Sequence, residues 1–177
     1  MQPLDQNEIE KAALLFAKAF ATDPAFAHCL QNEQQPQNLL RQFFAGYLHN
    51  CKDLLLYKTS ENLEGVLCLY RWDKPPVEDF CCPAALETLE EFQILDRYYQ
   101  RDFAVLDIMA VAPCHRGKGL AGRMIDFFVS YCKSHSLIAL TEMFSQAHLQ
   151  LYLAHGFAVQ YQQTRHGITT YILEHPL

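Results

Sequence analysis

Residues 106–125 read Leu-Asp-Ile-Met-Ala-Val-Ala-Pro-Cys-His-Arg-Gly-Lys-Gly-Leu-Ala-Gly-Arg-Met-Ile. An apolar run passes into a tight turn bearing Arg116, Gly117, Lys118 and Gly119, and then into an amphipathic helix that carries Gly122. Such a turn aims backbone N–H groups and the positive end of a helix dipole at one spot. The chemistry it offers is capture of a phosphate or pyrophosphate. Asp107 is the only charge in the run Phe103–Val111. A carboxyl buried in such a strand has a raised pKa and is tuned toward taking a proton near neutrality. Cys114 adjoins the turn, whose cations are the only neighbours able to activate it as a nucleophile.

Two familiar phosphate motifs fit incompletely. The nucleotide P-loop requires an upstream Gly and a Ser or Thr after the Lys, and both are missing around Gly117-Lys118-Gly119. Gly117, Gly119 and Gly122 do spell the dinucleotide fingerprint G-x-G-x-x-G, and Glu142 falls about where that fold places its ribose-binding acid. A doubly wound domain normally opens on this unit and repeats it. Here the turn comes late, and only one strand–helix unit and a hairpin follow.

The elements that must position these residues are legible from periodicity. Asp5-Gln6-Asn7-Glu8 resembles a capping box, after which Ile9, Ala12, Ala13, Phe16 and Phe20 share a helical face until Asp23-Pro24 ends the helix. A second helix begins at Pro36 with the stripe Leu39, Leu40, Phe43, Phe44, Tyr47 and Cys51. Leu54–Lys58 and Gly65–Tyr70, joined by Ser60-Glu61-Asn62, read as a hairpin. Residues 73–83 form a Pro-rich acidic loop, and Ala84–Arg101 has helical character with Leu86, Leu89, Phe92 and Leu95 at three-residue steps. Phe103–Val111 is a central strand covered on both faces. Leu120, Met124, Phe127, Phe128 and Tyr131 mark the helix after the turn. Leu137–Met143 is a strand, Gln146–His155 a short helix stopped by Gly156, and Phe157–Gln163 with Ile168–Leu173 a closing hairpin.

Composition bounds the function. The 177 residues suit one domain with a sizeable core. A net charge of −6 argues against a protein that wraps nucleic acid. The seven cysteines follow no metal or redox spacing and suit buried apolar positions in a reducing compartment. With neither a secretion signal nor an apolar run of membrane-spanning length, the expectation is a cytoplasmic protein.

Arg116-Gly117-Lys118-Gly119-Leu120-Ala121 resembles the R/Q-x-x-G-x-G/A signature of the GNAT superfamily of acyl-CoA-dependent N-acyltransferases. Ala110-Val111-Ala112-Pro113 matches the strand end and proline that precede it. Leu151-Tyr152-Leu153-Ala154-His155-Gly156-Phe157 is similar to the family's L-Y-x-x-x-G-F segment, at the expected distance. The resemblance implies a single α+β domain over residues 1–177, with a central mixed, mostly antiparallel sheet flanked by helices. It also implies acetyl-CoA as acyl donor and a small-molecule or protein amine as acceptor, while the charge and hydropathy above lead to the expectation of no nucleic-acid or membrane partner.

By that resemblance, backbone N–H groups of Gly117, Gly119, Ala121 and Gly122 hold the pyrophosphate, and Arg116 and Lys118 add charge. The pantetheine arm runs along the strand edge at Met109 and Val111, which splays from the next strand. Tyr152 matches the usual general acid that protonates the departing thiolate. Glu142 matches an acid found there in some branches; it and Asp107 are alternative bases or substrate-orienting groups. Ser145 and His148 depart from the pattern of Asn and Ala before the Tyr. Ser145 either bonds the pantetheine arm or caps the short helix, and His148 either shuttles a proton or lies at the surface. For the acceptor, Phe26, His28, Tyr70, Trp72, Asp73, Glu78, Asp79, Phe80, Tyr98 and Tyr99 offer an aromatic and acidic lining suited to an amine with an apolar body. A module that binds acyl-CoA without catalysis would keep the turn and need neither acid nor base.

Overall fold

The computed structural model describes residues 1–50, 53–74, 82–95 and 102–176. Asp5 and Glu8 close the expected capping box, the Asp5 N–H donating to Glu8 Oε2 at 2.9 Å. One 3-10 turn then leads into α1 (Ile9–Phe20), which buries Ile9, Ala12, Ala13 and Phe16. Asp23-Pro24 does more than end this helix: it starts α2 (Pro24–Cys29). Asp23 Oδ1 accepts from the Ala25 N–H at 3.1 Å, and proline sits at the first helical position, where its missing N–H costs nothing. α3 (Pro36–Asn50) buries Leu40, Phe44, Tyr47 and Leu48. Cys51, expected at the end of its stripe, lies outside the described residues.

Strands β1 (Gln2–Pro3), β2 (Leu55–Lys58), β3 (Gly65–Arg71), β4 (Phe103–Val111), β5 (Ile138–Met143), β6 (Ala158–Arg165) and β7 (Ile168–His175) form one sheet of order β1-β2-β3-β4-β5-β7-β6. Of its pairings only β4 with β5 is parallel. This is the mixed, mostly antiparallel sheet of an α+β fold, and it does not fit the parallel sheet a dinucleotide fingerprint would require. Between β4 and β5 the chain runs through α4 (Leu120–Ser134); α5 (Gln146–Ala154) follows β5. Ala84–Glu91 is a 3-10 segment rather than an α-helix. The three-residue spacing of Leu86, Leu89 and Phe92 is the period of that tighter helix.

Leu67, Leu69, Ala104 and Leu106 face Met124, Ile125 and Phe128 of α4 on one side of the sheet. Val66, Cys68, Ile108 and Ala110 face Phe16 and Phe44 of α1 and α3 on the other. β4 changes parity between these groups. Its register with β3 pairs Ile108 with Cys68 and Leu106 with Leu69, which leaves Asp107 as the extra residue of a β-bulge. A bulge re-aims the side chains around it. Beyond it the odd residues Met109 and Val111, not the even ones, lie on the α4 side.

β4 and β5 pair only from Phe103–Ile138 to Leu106–Thr141. Past that point β4 continues beside β3 alone, up to Val111 opposite Gly65. The two central strands therefore fork just where Asp107 stands.

Candidate active site

A cavity of about 1120 Å³ runs through this fork, from the glycine turn to the walls built by α1, α2 and α3. At its first end, Gly117 and Gly119 have left-handed φ of +74° and +71°, and a Cβ on either would meet nothing within 4 Å. Their need for glycine is conformational, since L side chains avoid that region. The open space in front of them leaves the backbone accessible to a ligand. Gly119 is the N-cap of α4 and has no side chain to cap with. The first helical bond is Arg123 N–H to Gly119 O at 3.2 Å, so the N–H groups of Leu120, Ala121 and Gly122 precede the ladder and remain available.

Gly122 serves a second purpose. A Cβ there would lie 2.7 Å from Nε2 of His155, whose Nδ1 pairs with Asp126 Oδ1 at 2.7 Å. The third glycine of the fingerprint thus lets α5 approach α4. Arg116 donates from Nε to the Val111 carbonyl at 3.2 Å, which ties the turn to the end of β4. Arg116, Gly117, Gly119, Ala121 and Gly122 line the cavity; Lys118 is exposed and stands outside that lining. The chemistry of the donor set fits a pyrophosphate: unclaimed N–H groups, a helix N-terminus and a guanidinium converge on open space.

Met109 and Val111, on the length of β4 that β5 no longer pairs, form the next part of the wall. Facing them is Tyr152 on α5, 7% exposed and packed edge-to-face on Phe157 at 5.5 Å. Burial pushes its phenol up to about 12. Beside the phenol is Thr141, whose hydroxyl donates to the Leu106 carbonyl at 2.9 Å. A carbonyl only accepts, so that bond uses the one proton of Thr141. The lone pairs of its oxygen are what it has left to offer the phenol. Ser145 is the N-cap residue of α5 yet makes no side-chain cap bond, which leaves its hydroxyl to the cavity it lines. His148 is exposed at the rim, and Cys114 is exposed outside the lining.

Both candidate acids reach the cavity. Asp107 Oδ2 accepts from the Tyr47 hydroxyl at 2.7 Å. Glu142 Oε1 accepts from the Ile94 N–H at 2.5 Å. Each is thus oriented by a neighbour drawn from a distant part of the chain, α3 for one and the segment after the 3-10 helix for the other.

Of the aromatic and acidic residues expected at the acceptor end, Phe26 and Tyr70 line the cavity. His28 stacks on His166 at 5.3 Å and Asp73 pairs with Arg71 at 2.9 Å, both away from the lining. Trp72 packs against the core. Glu78, Asp79, Phe80, Tyr98 and Tyr99 lie outside the described residues. Sequence reading passed over Tyr47, Thr141 and Asp23 as site residues. Tyr47 looks like one more apolar stripe position and Thr141 like an ordinary strand residue. Asp23 did carry a signal, because Asp before Pro is a helix start as well as a stop. Its carboxyl lines the cavity, and burial raises it to about 6 although the N–H groups of Ala25 and Phe26 pull the other way.

Residues 21–157 match the model of the acetyltransferase (GNAT) family. No curated protein sequence matches the chain significantly. Among solved structures, a histone acetyltransferase HPA2 and related acetyltransferase from Corynebacterium glutamicum superposes with a TM-score of 0.72 at 18% identity, over 98% of this chain and 93% of that one. A putative arylalkylamine N-acetyltransferase 7 from the yellow fever mosquito gives 0.67 at 16% identity, over 97% and 84%. A chain of the NatC complex bound to Gag peptide and CoA gives 0.54 at 17% identity, over 99% and 96%. At such identities the likeness is one of fold.

Proposed function

The chain belongs to the acetyltransferase (GNAT) family, and on that premise we propose that it moves acetyl from acetyl-CoA to a primary amine by direct attack, as one catalytic domain over residues 1–177. The observation that carries this reading is the single cavity joining the glycine turn, the open edge of β4 and the phenol of Tyr152. Acetyl-CoA, as co-substrate, supplies an activated acyl carbon: a C–S bond breaks, a C–N bond forms, and one proton passes to solvent.

The N–H groups of Gly117, Gly119, Ala121 and Gly122 bind the pyrophosphate together with Arg116, while exposed Lys118 adds charge from the flank. The backbone of Met109 and Val111 pairs the amides of the pantetheine arm, with the Ser145 hydroxyl opposite. Their N–H groups also polarise the acyl carbonyl. Glu142 or Asp107 receives the proton of the acceptor ammonium. Tyr152 gives its proton to the leaving sulfur, and the second proton that the nitrogen loses as the amide forms restores the phenol. A phenol at about 12 stays protonated throughout the physiological range, which a donor requires. Thr141 holds that proton until the sulfur arrives.

A module that binds acyl-CoA without turnover is the second reading. The buried Tyr152 beside Thr141 at the fork favours catalysis, since binding alone needs no phenol there. The setting we infer is cytoplasmic, a reading supported by the free thiols of Cys29, Cys68, Cys82, Cys114 and Cys132.

Isothermal titration of acetyl-CoA into the wild type and into a variant carrying Arg116→Ala with Gly119→Trp tests the site. Binding that is lost in the folded variant, followed by amine acetylation that Tyr152→Phe suppresses, supports the proposal. No binding by the wild type refutes it.

A further inference from the structure

Beyond the fork, the cavity ends in a wall of rings. Phe26 of α2 meets Phe20 at 5.5 Å, Phe44 at 5.6 Å and Phe43 at 5.9 Å, and all four line the space. Tyr47, stacked on Phe43 at 6.2 Å, carries this wall back to Asp107. Asp23 stands within it, three residues before Phe26, with its carboxyl fixed on backbone N–H groups of α2.

Among the described lining residues, carboxyls outnumber fixed cations, and His115 and His148 are the other titratable groups there. Asp23, Glu90, Asp107 and Glu142 are among the described lining residues, and the only Lys or Arg there is Arg116. Arg116 is bonded to Val111 at the glycine turn, the other end of the space. The rings favour an aryl or branched apolar body, through edge-to-face contact and through attraction of a cation to their faces. The carboxyls favour a cation beside it. A carboxylate on the same ligand would meet like charge and lose its hydration, with no cationic partner among the described residues at this end.

We propose that Asp23 sets the charge preference of the acceptor site, and that the acceptor is a cationic amine with an aryl or branched apolar body and no carboxylate. This rests on the acetyltransferase reading above and narrows it. Asp23 is suited to the role because burial already disfavours its anion, and an arriving ammonium supplies a counter-charge that it has from no described side chain. Phe20, Phe26, Phe43 and Phe44 fix where the ligand body lies, and Asp23 then discriminates by charge alone.

The test compares 2-phenylethylamine with phenylalanine, which differ by one carboxylate, using acetyl-CoA and the full chain. The wild type should prefer 2-phenylethylamine by about 100-fold or more in kcat/KM. Asp23→Asn keeps a good helix cap and should raise KM for 2-phenylethylamine about tenfold, while KM for acetyl-CoA stays within about twofold. The preference over phenylalanine should shrink by a similar factor. Asp23→Ser, a second capping residue without charge, should behave alike, which separates charge from fold. Equal turnover of the two acceptors by the wild type, no turnover of 2-phenylethylamine by protein that binds acetyl-CoA, or an unchanged preference in both variants overturns the inference alone. Failure of the wild type to bind acetyl-CoA removes the enzymatic reading and this inference with it.

Discussion

The Thr141 hydroxyl donates to the Leu106 carbonyl across 2.9 Å at the last rung shared by β4 and β5. Immediately beyond this pair the strands part, and Asp107 and Glu142 are the first residues on either side of the gap. The bond closes the fork at its apex and sets the hydroxyl beside Tyr152. Thr141→Val keeps the shape and removes the bond. Because it leaves a buried carbonyl less satisfied, it should cost about 1–3 kcal/mol, read as a lower denaturation midpoint. It should also lower kcat with little change in KM for acetyl-CoA.

Tyr152→Phe should lower kcat about 100-fold or more, the usual worth of a positioned proton donor, and leave the affinity for acetyl-CoA nearly unchanged. Since the phenol is raised to about 12, ionisation of Tyr152 should produce no alkaline limb below about pH 11 in the wild-type profile. An alkaline loss centred near pH 8 or 9 that vanishes in the variant would contradict this.

The glycines should separate by mechanism. Gly119→Ala forces a Cβ onto a residue at φ +71° in open space, a strain of about 1–2 kcal/mol at the N-terminus of α4. Its main readout should be weaker acetyl-CoA binding by calorimetry. Gly122→Ala instead drives a Cβ to 2.7 Å from His155, so its main readout should be a lowered melting temperature, relieved by His155→Ala.

Asp23 should make the free protein less stable above neutrality than in weak acid. Its carboxyl is raised from 3.8 to about 6 by burial, so the folded chain keeps a proton that the unfolded chain releases. The associated stability is fully present below pH 3.8 and is lost as pH rises to about 6. The loss is on the order of 2–3 kcal/mol. Asp23→Asn should therefore be the more stable protein at pH 7 to 8, and the gap should close toward about pH 4, as measured by denaturant titration at each pH.

Much of this molecule could be read in order along the chain. The stripes of α1, α3 and α4, the β2–β3 hairpin, the apolar β4 and the closing β6–β7 hairpin depend on periodicities of neighbouring residues, and they stand where those periodicities put them. α2 is not legible because Asp23-Pro24 reads locally as a stop as well as a start, and the helical character expected from residue 84 is a 3-10 segment over Ala84–Glu91, since i, i+3 spacing fits either kind of helix over so short a stretch.

The division is sharper at the site. Arg116, Gly117, Gly119 and the first turn of α4 are contiguous, and their fitness to cradle an anion follows from backbone conformation and the helix terminus, both local properties. The sequence by itself therefore determined the fold class and the glycine turn proposed to bind the donor. Only the tertiary structure decided what lies opposite that turn. The bulge at Asp107, its clamp by Tyr47, the hold of Ile94 on Glu142 and the Thr141–Leu106 bond join residues 35 to 60 positions apart. Such contacts arise from strand register and from which helix packs on which face. Those are properties of the assembled sheet and its packing, and no window of neighbouring residues contains them.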